Sequence, residues 1–162
     1  MIRLRAYTPE DRAAVHAVFY RAVHEGAAGH YSAAQRAAWA PAPAVDPSRP
    51  DRLAGQVCLV SESAGQITGF MSLRGDGYLD MAFVLPEVMG KGHAAALYDA
   101  ILAEAQRRAL PRLTAHASLL ARPFFERRGW LVEQVQDHPV GPVTLRRFSM
   151  QILLAPGAAA AP

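Results

Sequence analysis

The stretch Tyr78-Leu-Asp-Met-Ala-Phe-Val-Leu-Pro-Glu-Val-Met-Gly-Lys-Gly-His-Ala-Ala-Ala-Leu97 decides how this chain is read. Its first half, Tyr78 to Leu85, is aromatic and apolar, as a buried strand requires, and stops at Pro86, which has no N–H for a ladder. Its second half predicts a helix from Gly92 onward, because Ala94, Leu97, Tyr98, Ile101, Leu102 and Ala105 recur at steps of three and four. Between them lies Met89-Gly-Lys-Gly-His-Ala94, a glycine-rich turn into a helix N-terminus that holds the chain's only lysine, Lys91. The first N–H groups of a helix have no internal partner and sit at the positive end of its dipole. Glycines let an anion come close to them, phosphate most naturally.

Three kinds of loop compete for this pattern. The Walker loop needs four residues between its glycines and a Lys-Ser/Thr pair, and both are missing. The dinucleotide fingerprint is nearer, since Gly90, Gly92 and Ala95 satisfy G-x-G-x-x-A, and it would make the protein an NAD(P)-binding oxidoreductase. That fingerprint belongs in a first strand–helix turn with a carboxylate on the next strand. Here it is mid-chain, and Leu113 to Ala117 carries no acid. The third reading is a resemblance. Pro86 to Ala94 is similar to the pyrophosphate loop, Arg/Gln-x-x-Gly-x-Gly/Ala, of the GCN5-related N-acetyltransferase (GNAT) superfamily.

The remainder of the chain agrees with the third reading. Ile2 to Tyr7 alternates as a strand, and Thr8-Pro9-Glu10-Asp11 opens a helix to about Glu25 with Val15, Val18, Phe19 and Val23 on its apolar stripe. Ser32-x-x-Gln35 is a capping box for a short helix through Trp39. Pro41, Pro43, Pro47 and Pro50 then predict an extended surface loop. Gln56–Glu62, Ile67–Leu73 and the Tyr78 strand follow one another through short glycine turns, as antiparallel neighbours do. A strand at Leu113–Ala117 after a helical crossover should lie parallel to the Tyr78 strand. Ser118 to Arg128 predicts an amphipathic helix stopped by Gly129, and Leu131–Gln136 and Thr144–Leu154 predict two last strands joined through His138–Pro142.

Ser118-Leu-Leu-Ala121-Arg-Pro-Phe124-Phe125-Glu-Arg-Arg-Gly129-Trp130 also resembles the second GNAT motif, Asn-x-x-Ala-x-x-Phe-Tyr-x-x-x-Gly-Phe. Tyr31, Gln35, Trp39, Ser118 and the closing Arg147-Phe-Ser-Met150 are similar to a bacterial, YafP-like branch of that superfamily. The expected fold is therefore mixed α/β (α+β). It has a mostly antiparallel sheet with a central splayed parallel strand pair, flanked by helices, in one domain over residues 1–154 with a disordered tail at 155–162.

The resemblance implies acetyl-CoA as co-substrate. Its pantetheine would pair with the bulged strand at Ala82, Phe83 and Val84, its pyrophosphate would lie on Met89, Gly90, Lys91, Gly92, His93 and Ala94, and Phe125 is a further expected cofactor-binding residue. At His93 the backbone N–H, rather than the ring, is the expected ligand. Asp80 falls where a family base can occur, on the reasoning that Tyr78, Asp80 and Ala82 share one strand face, and Ser118 is the second candidate catalytic residue. His24, Tyr31 and Trp39 lie in the region that lines the acceptor side in the family.

Two departures from the family pattern stand out. Met89 replaces the usual Arg or Gln, and Phe125 replaces a tyrosine that often protonates the departing thiolate. Water, Ser118 or Tyr98 would then supply that proton. The implied activity is acetyl transfer to the amine of a small molecule or peptide, with a non-catalytic acyl-CoA-binding protein as the alternative.

Composition limits the other classes. Hydrophobic residues at 51% with charged ones at 19% are globular values, and no apolar run reaches the ~18 residues of a membrane span. The start, Met1-Ile-Arg-Leu-Arg, lacks the apolar block of a signal peptide, and a lone Cys58 fits a reducing cytoplasm. No histidine spacing reads as a metal site. A net charge of +3 without a basic stripe suits a phosphorylated ligand better than nucleic acid. Neither nucleic acid nor a membrane is expected as a partner, and family habit makes a homodimer the expected assembly if there is one.

Overall fold

The computed structural model describes residues 1–155, so the expected tail lies outside the described residues from 156 onward. Among the described residues seven strands form two sheets. Strands β1 (Arg3–Ala6), β2 (Val57–Ser63), β3 (Gln66–Leu73) and β4 (Leu79–Val84) make an antiparallel meander in chain order. Strands β5 (Arg112–Ser118), β6 (Leu131–Val140) and β7 (Val143–Leu153) make the other, also antiparallel, with β7 in the middle. The helices are α1 (Arg12–Arg21), α2 (Ala33–Trp39), α3 (His93–Arg107) and α4 (Arg122–Glu126).

The parallel pair expected at the centre has shrunk to one bridge, Tyr78 against Thr114. There the Thr114 N–H donates to the Gly77 carbonyl at 3.0 Å. Gly77 permits this approach: its φ is +91°, and a Cβ would lie 2.6 Å from the Arg112 carbonyl oxygen. Beyond the bridge β4 and β5 diverge, so the edge of β4 that faces β5 has no ladder partner. This is the splay that the resemblance implied.

Helix α3 covers one face of both sheets. Leu97, Ile101 and Ala105 are fully buried against Met71, Leu73, Leu113, Ala115 and Met150. Each large aliphatic side chain contributes about 1.5–3 kcal/mol by leaving water. Helix α1 covers the opposite face of the first sheet through Val15 and Val18, packed on Val60 and Phe70. It ends at Arg21 and continues as a wider π turn over Ala22–Gly26, close to the expected end at Glu25. The capping box of α2 is formed: Ser32 Oγ accepts from the Gln35 N–H, and Gln35 Oε1 accepts from the Ser32 N–H.

Two expectations change. The segment His138–Val140 is strand rather than connection, with Pro139 opposite Thr144; β6 is an edge strand, where a missing N–H costs no ladder bond. The amphipathic helix expected over Leu119–Arg128 is only the short α4, because Ser118–Ala121 is a turn closed by the Ser118 hydroxyl accepting from the Ala121 N–H at 3.1 Å.

Candidate active site

The divergence of β4 and β5 opens a cleft of about 330 Å³ whose walls include Ala82, Val84, Gly90, Ala94, Ser118 and Phe125. A bulge shapes its β4 wall. Ser72 faces Met81 and Leu73 faces Leu79, so Asp80 is the extra residue and the side-chain alternation slips there by one. This corrects the expectation that Tyr78, Asp80 and Ala82 share a face. Ala82 and Val84 pack towards the α3 side with Leu97, whereas Met81 and Phe83 pack towards the α1 side.

At the mouth of the cleft, a 3₁₀ turn at Pro86–Val88 leads through Met89 to Gly90 and Gly92, with φ of +75° and +90°. Helix α3 then begins without any side-chain cap. Its first N–H groups are therefore available to an anion, and no atom stands within 4 Å of where a Gly90 Cβ would be. Lys91 adds an exposed positive charge, and Met89 is exposed rather than packed away. An unpaired sheet edge, an apolar cleft and an uncapped helix start together fit a ligand with an amide-bearing arm and a phosphorylated end. Acetyl-CoA has that form.

The His93 ring turns away from this anion site. It is buried and joins a polar chain in which its Nδ1 lies 2.8 Å from Thr68 Oγ1, itself 2.9 Å from Ser61 Oγ. Burial, then the N-terminal amine and Lys91, push its pKa below the ordinary histidine value. Phe125 is also buried, packed at 4.8 Å in a tilted contact with Trp130, and gives the cleft an apolar floor. Tyr98 cannot replace the missing tyrosine. It is buried on the inner face of α3, its hydroxyl accepts from Trp130 Nε1 at 2.9 Å, and burial raises its pKa. Ser118 remains, and it lines both this cleft and the cavity next to it.

That second cavity, about 190 Å³, lies on the α1 side between Phe19, Tyr31, Trp39, Phe83 and the β4–β5 junction. Trp39 and Phe83 also line the cleft, so the two spaces meet at Trp39, Phe83 and Ser118. Tyr31 is buried and structural as well as lining: its hydroxyl donates to the Arg146 carbonyl at 2.6 Å and accepts from the Leu119 N–H at 2.9 Å. His24 is elsewhere. Its Nε2 donates to the Ala40 carbonyl, its ring packs on Tyr20, and it lines none of these spaces, so its expected acceptor role is withdrawn.

Asp80 borders the second cavity, but its carboxylate is spent. Arg52 grips it at 2.8 and 3.0 Å, Gln56 donates at 2.9 Å and Arg74 at 3.4 Å, and the side chain has no exposed surface. Burial alone would raise its pKa, yet the hydrogen bonds from Arg52 and Gln56 and the charges of Arg52 and Arg74 hold it below the ordinary carboxylate value. Such a group is a poor proton acceptor and a good anchor for the bulge.

The accessible titratable group of this cavity is a pair that the sequence analysis did not name. Tyr78 Oη lies 2.8 Å from His116 Nδ1, and both side chains line the cavity. Burial, then Arg147 and His138, lower the His116 pKa, which favours the neutral ring. The signal was the alternation on β5: Leu113, Ala115 and Ala117 are buried, which turns Thr114, His116 and Ser118 to the acceptor face. Arg147, opposite Ser118 in register, was legible only as part of a terminal motif.

Comparison with known proteins agrees with this geometry. The family described as "Acetyltransferase (GNAT) domain" matches residues 27–142. An N-acetyltransferase of Escherichia coli K12, YafP, itself described as uncharacterised, is 39% identical over 130 residues, 80% of this chain and 81% of its own. A GCN5-related N-acetyltransferase crystal structure from Rhodopseudomonas palustris superposes with a TM-score of 0.87 at 34% identity, covering 94% of this chain and 95% of that one. The PaiA N-acetyltransferase of Thermoplasma acidophilum, solved with coenzyme A, shares the fold at 16% identity, with a TM-score of 0.70 over 95% and 99% of the two chains. The antiparallel meander ahead of the glycine loop removes the dinucleotide reading. By its sequence, its fold and its splayed cleft, the chain belongs to the GNAT acetyltransferase family.

Proposed function

We propose that the protein moves the acetyl group of acetyl-CoA to a primary amine by direct attack on the thioester. The observation that carries this is the meeting of two spaces at Trp39, Phe83 and Ser118: a cleft ending at an uncapped helix start, and a cavity holding the hydrogen-bonded Tyr78–His116 pair. The bound co-substrate supplies an activated acyl thioester. The unpaired edge of β4 at Ala82–Val84 aligns its amide arm, and the N–H groups of Gly90, Gly92, His93 and Ala94 neutralise its pyrophosphate. Those expected at Met89 and Lys91 are instead donated to the Pro86 and Val88 carbonyls, which hold the turn in shape.

The amine enters from the Tyr78–His116 side. With Tyr78 donating to His116 Nδ1, the hydroxyl takes the amine's proton as it passes its own to the ring, so the charge ends on an imidazolium. Ser118, at the junction, gives a proton to the leaving sulfur and is reprotonated from solvent. Asp80 acts on the other groups, by fixing Arg52 and the β4 bulge. No helix among the described residues is long and apolar enough to cross a membrane. The free, buried thiol of Cys58 suits a reducing compartment, so the cytoplasm is the expected location.

A binding-only protein is the second reading, favoured by Phe125 standing where a proton donor is usual. Thiol release separates the two. Amine-dependent release of free thiol from acetyl-CoA is the expected result; acetyl-CoA binding without release on any amine would support the binding protein.

A further inference from the structure

The charges around the acceptor cavity do not balance. Of the arginines at its wall, Arg52 is paired to Asp80 and Arg146 to Asp137, each through two hydrogen bonds. Arg147 has no carboxylate partner among the described residues. Its Nε donates at 2.9 Å to the neutral Gln136 Oε1, its side chain is half-buried, and its charge reaches both Tyr78 and His116. A guanidinium there presents its remaining donors as a fork that matches a carboxylate. The same surplus of positive charge disfavours a polycationic acceptor. It also favours the uncharged form of a nearby amine, which is the form that attacks.

The cavity is not closed on its far side. Phe19, Trp39, Arg52 and Met81 also line a larger space of about 580 Å³ beneath the proline-rich segment 41–50. Its walls are mainly apolar, with Val15, Leu53 and Phe70 among them. The segment above is pinned: His16 Nε2 donates to the Ala42 carbonyl at 2.7 Å, and Arg12 donates to the carbonyls of Arg49 and Pro50. A cationic fork, the Tyr78–His116 pair and an apolar recess therefore border one continuous space.

Building on the acetyl-transfer reading, we propose that the acceptor is an apolar α-amino acid, its carboxylate on Arg147 and its side chain directed past Trp39 and Phe19 into the recess. The test is thiol release at saturating acetyl-CoA with phenylalanine and leucine against their decarboxylated counterparts, phenethylamine and isoamylamine. The amino acids should give a kcat/KM roughly 10- to 100-fold higher, the worth of a hydrogen-bonded charge pair. Arg147→Gln should remove most of that preference by raising the amino-acid KM, Arg147→Lys should restore part of it, and the KM for acetyl-CoA should hold in both.

Equal or better use of the decarboxylated amines, or a preference untouched by Arg147→Gln, would overturn the carboxylate assignment while leaving acetyl transfer to amines standing. Reaction with none of these acceptors by a protein that binds acetyl-CoA would overturn the amino-acid class. Loss of acetyl-CoA binding itself would remove the earlier reading and this one with it.

Discussion

The two sides of the central gap are made in different ways. The cofactor side is built from backbone: a sheet edge left unpaired beyond Gly77, glycines at positive φ, and a helix start without a side-chain cap. The acceptor side is built from side chains brought together from distant parts of the chain, with Trp39 from α2, Arg52 from a loop, Tyr78 beside β4, His116 from β5 and Arg147 from β7. A backbone site depends on local geometry, so cofactor binding there should tolerate Met89 where the family uses a polar residue. A side-chain site depends on identity, and single substitutions there should be decisive.

His116→Ala should show this most strongly. It should lower kcat by about 10²- to 10⁴-fold, the usual worth of a positioned proton acceptor, with little change in the KM for acetyl-CoA. The wild-type rate should rise with pH through an acid limb whose midpoint lies below the ordinary histidine value of ~6.5, because burial, Arg147 and His138 all favour the neutral ring. Tyr78→Phe should lose rate in the same direction. An acid limb that persists in the His116 variant would assign the base elsewhere.

Gly92→Glu is the corresponding blow to the backbone side. It places bulk and negative charge at the helix start, and it should weaken acetyl-CoA binding by roughly 100-fold, read by calorimetry. Because Gly92 has φ +90°, some stability is lost as well, so circular dichroism should first establish that the variant folds.

Asp80→Asn sharpens the comparison from the acceptor side. As a base, Asp80 would be worth the full 10²- to 10⁴-fold; as an anchor for Arg52 it should cost less than about tenfold in kcat and leave the acid limb in place. Met89→Arg should have the smallest effect: a cation near the pyrophosphate should tighten acetyl-CoA roughly 2- to 5-fold, the value of an exposed charge contact.

The same contrast explains what was legible in the sequence. Pro86 to Ala94 announced the loop because local spacing alone makes a strand, a turn and a helix start. Element order followed from periodicity, and Gly77 to Tyr78 was recognisable as a turn into the central strand. The bulge at Asp80 was invisible, since it depends on the register of β4 against Ser72 and Leu73 on β3. Missing it put Asp80 on one face with Ala82, and the grip of Arg52 and Gln56 on its carboxylate was equally out of reach of local pattern. His24 looked suited to the acceptor side because its helix lies there, but the π turn and its bond to Ala40 point it into structure. The Tyr78–His116 pair joins residues on two strands that touch only through the Tyr78–Thr114 bridge, a closeness that no local pattern encodes. Pro139 shows the milder error, an edge strand mistaken for a connection.

The most direct test of the central claim is calorimetric titration of the wild-type protein with acetyl-CoA, with NADPH titrated in parallel. The cleft between β4 and β5 and the loop at Gly90–Gly92 predict saturable binding of one acetyl-CoA per chain and no heat from NADPH. An absence of acetyl-CoA binding, or saturable binding of NADPH in its place, would contradict the assignment of the cleft and the acetyl transfer built on it.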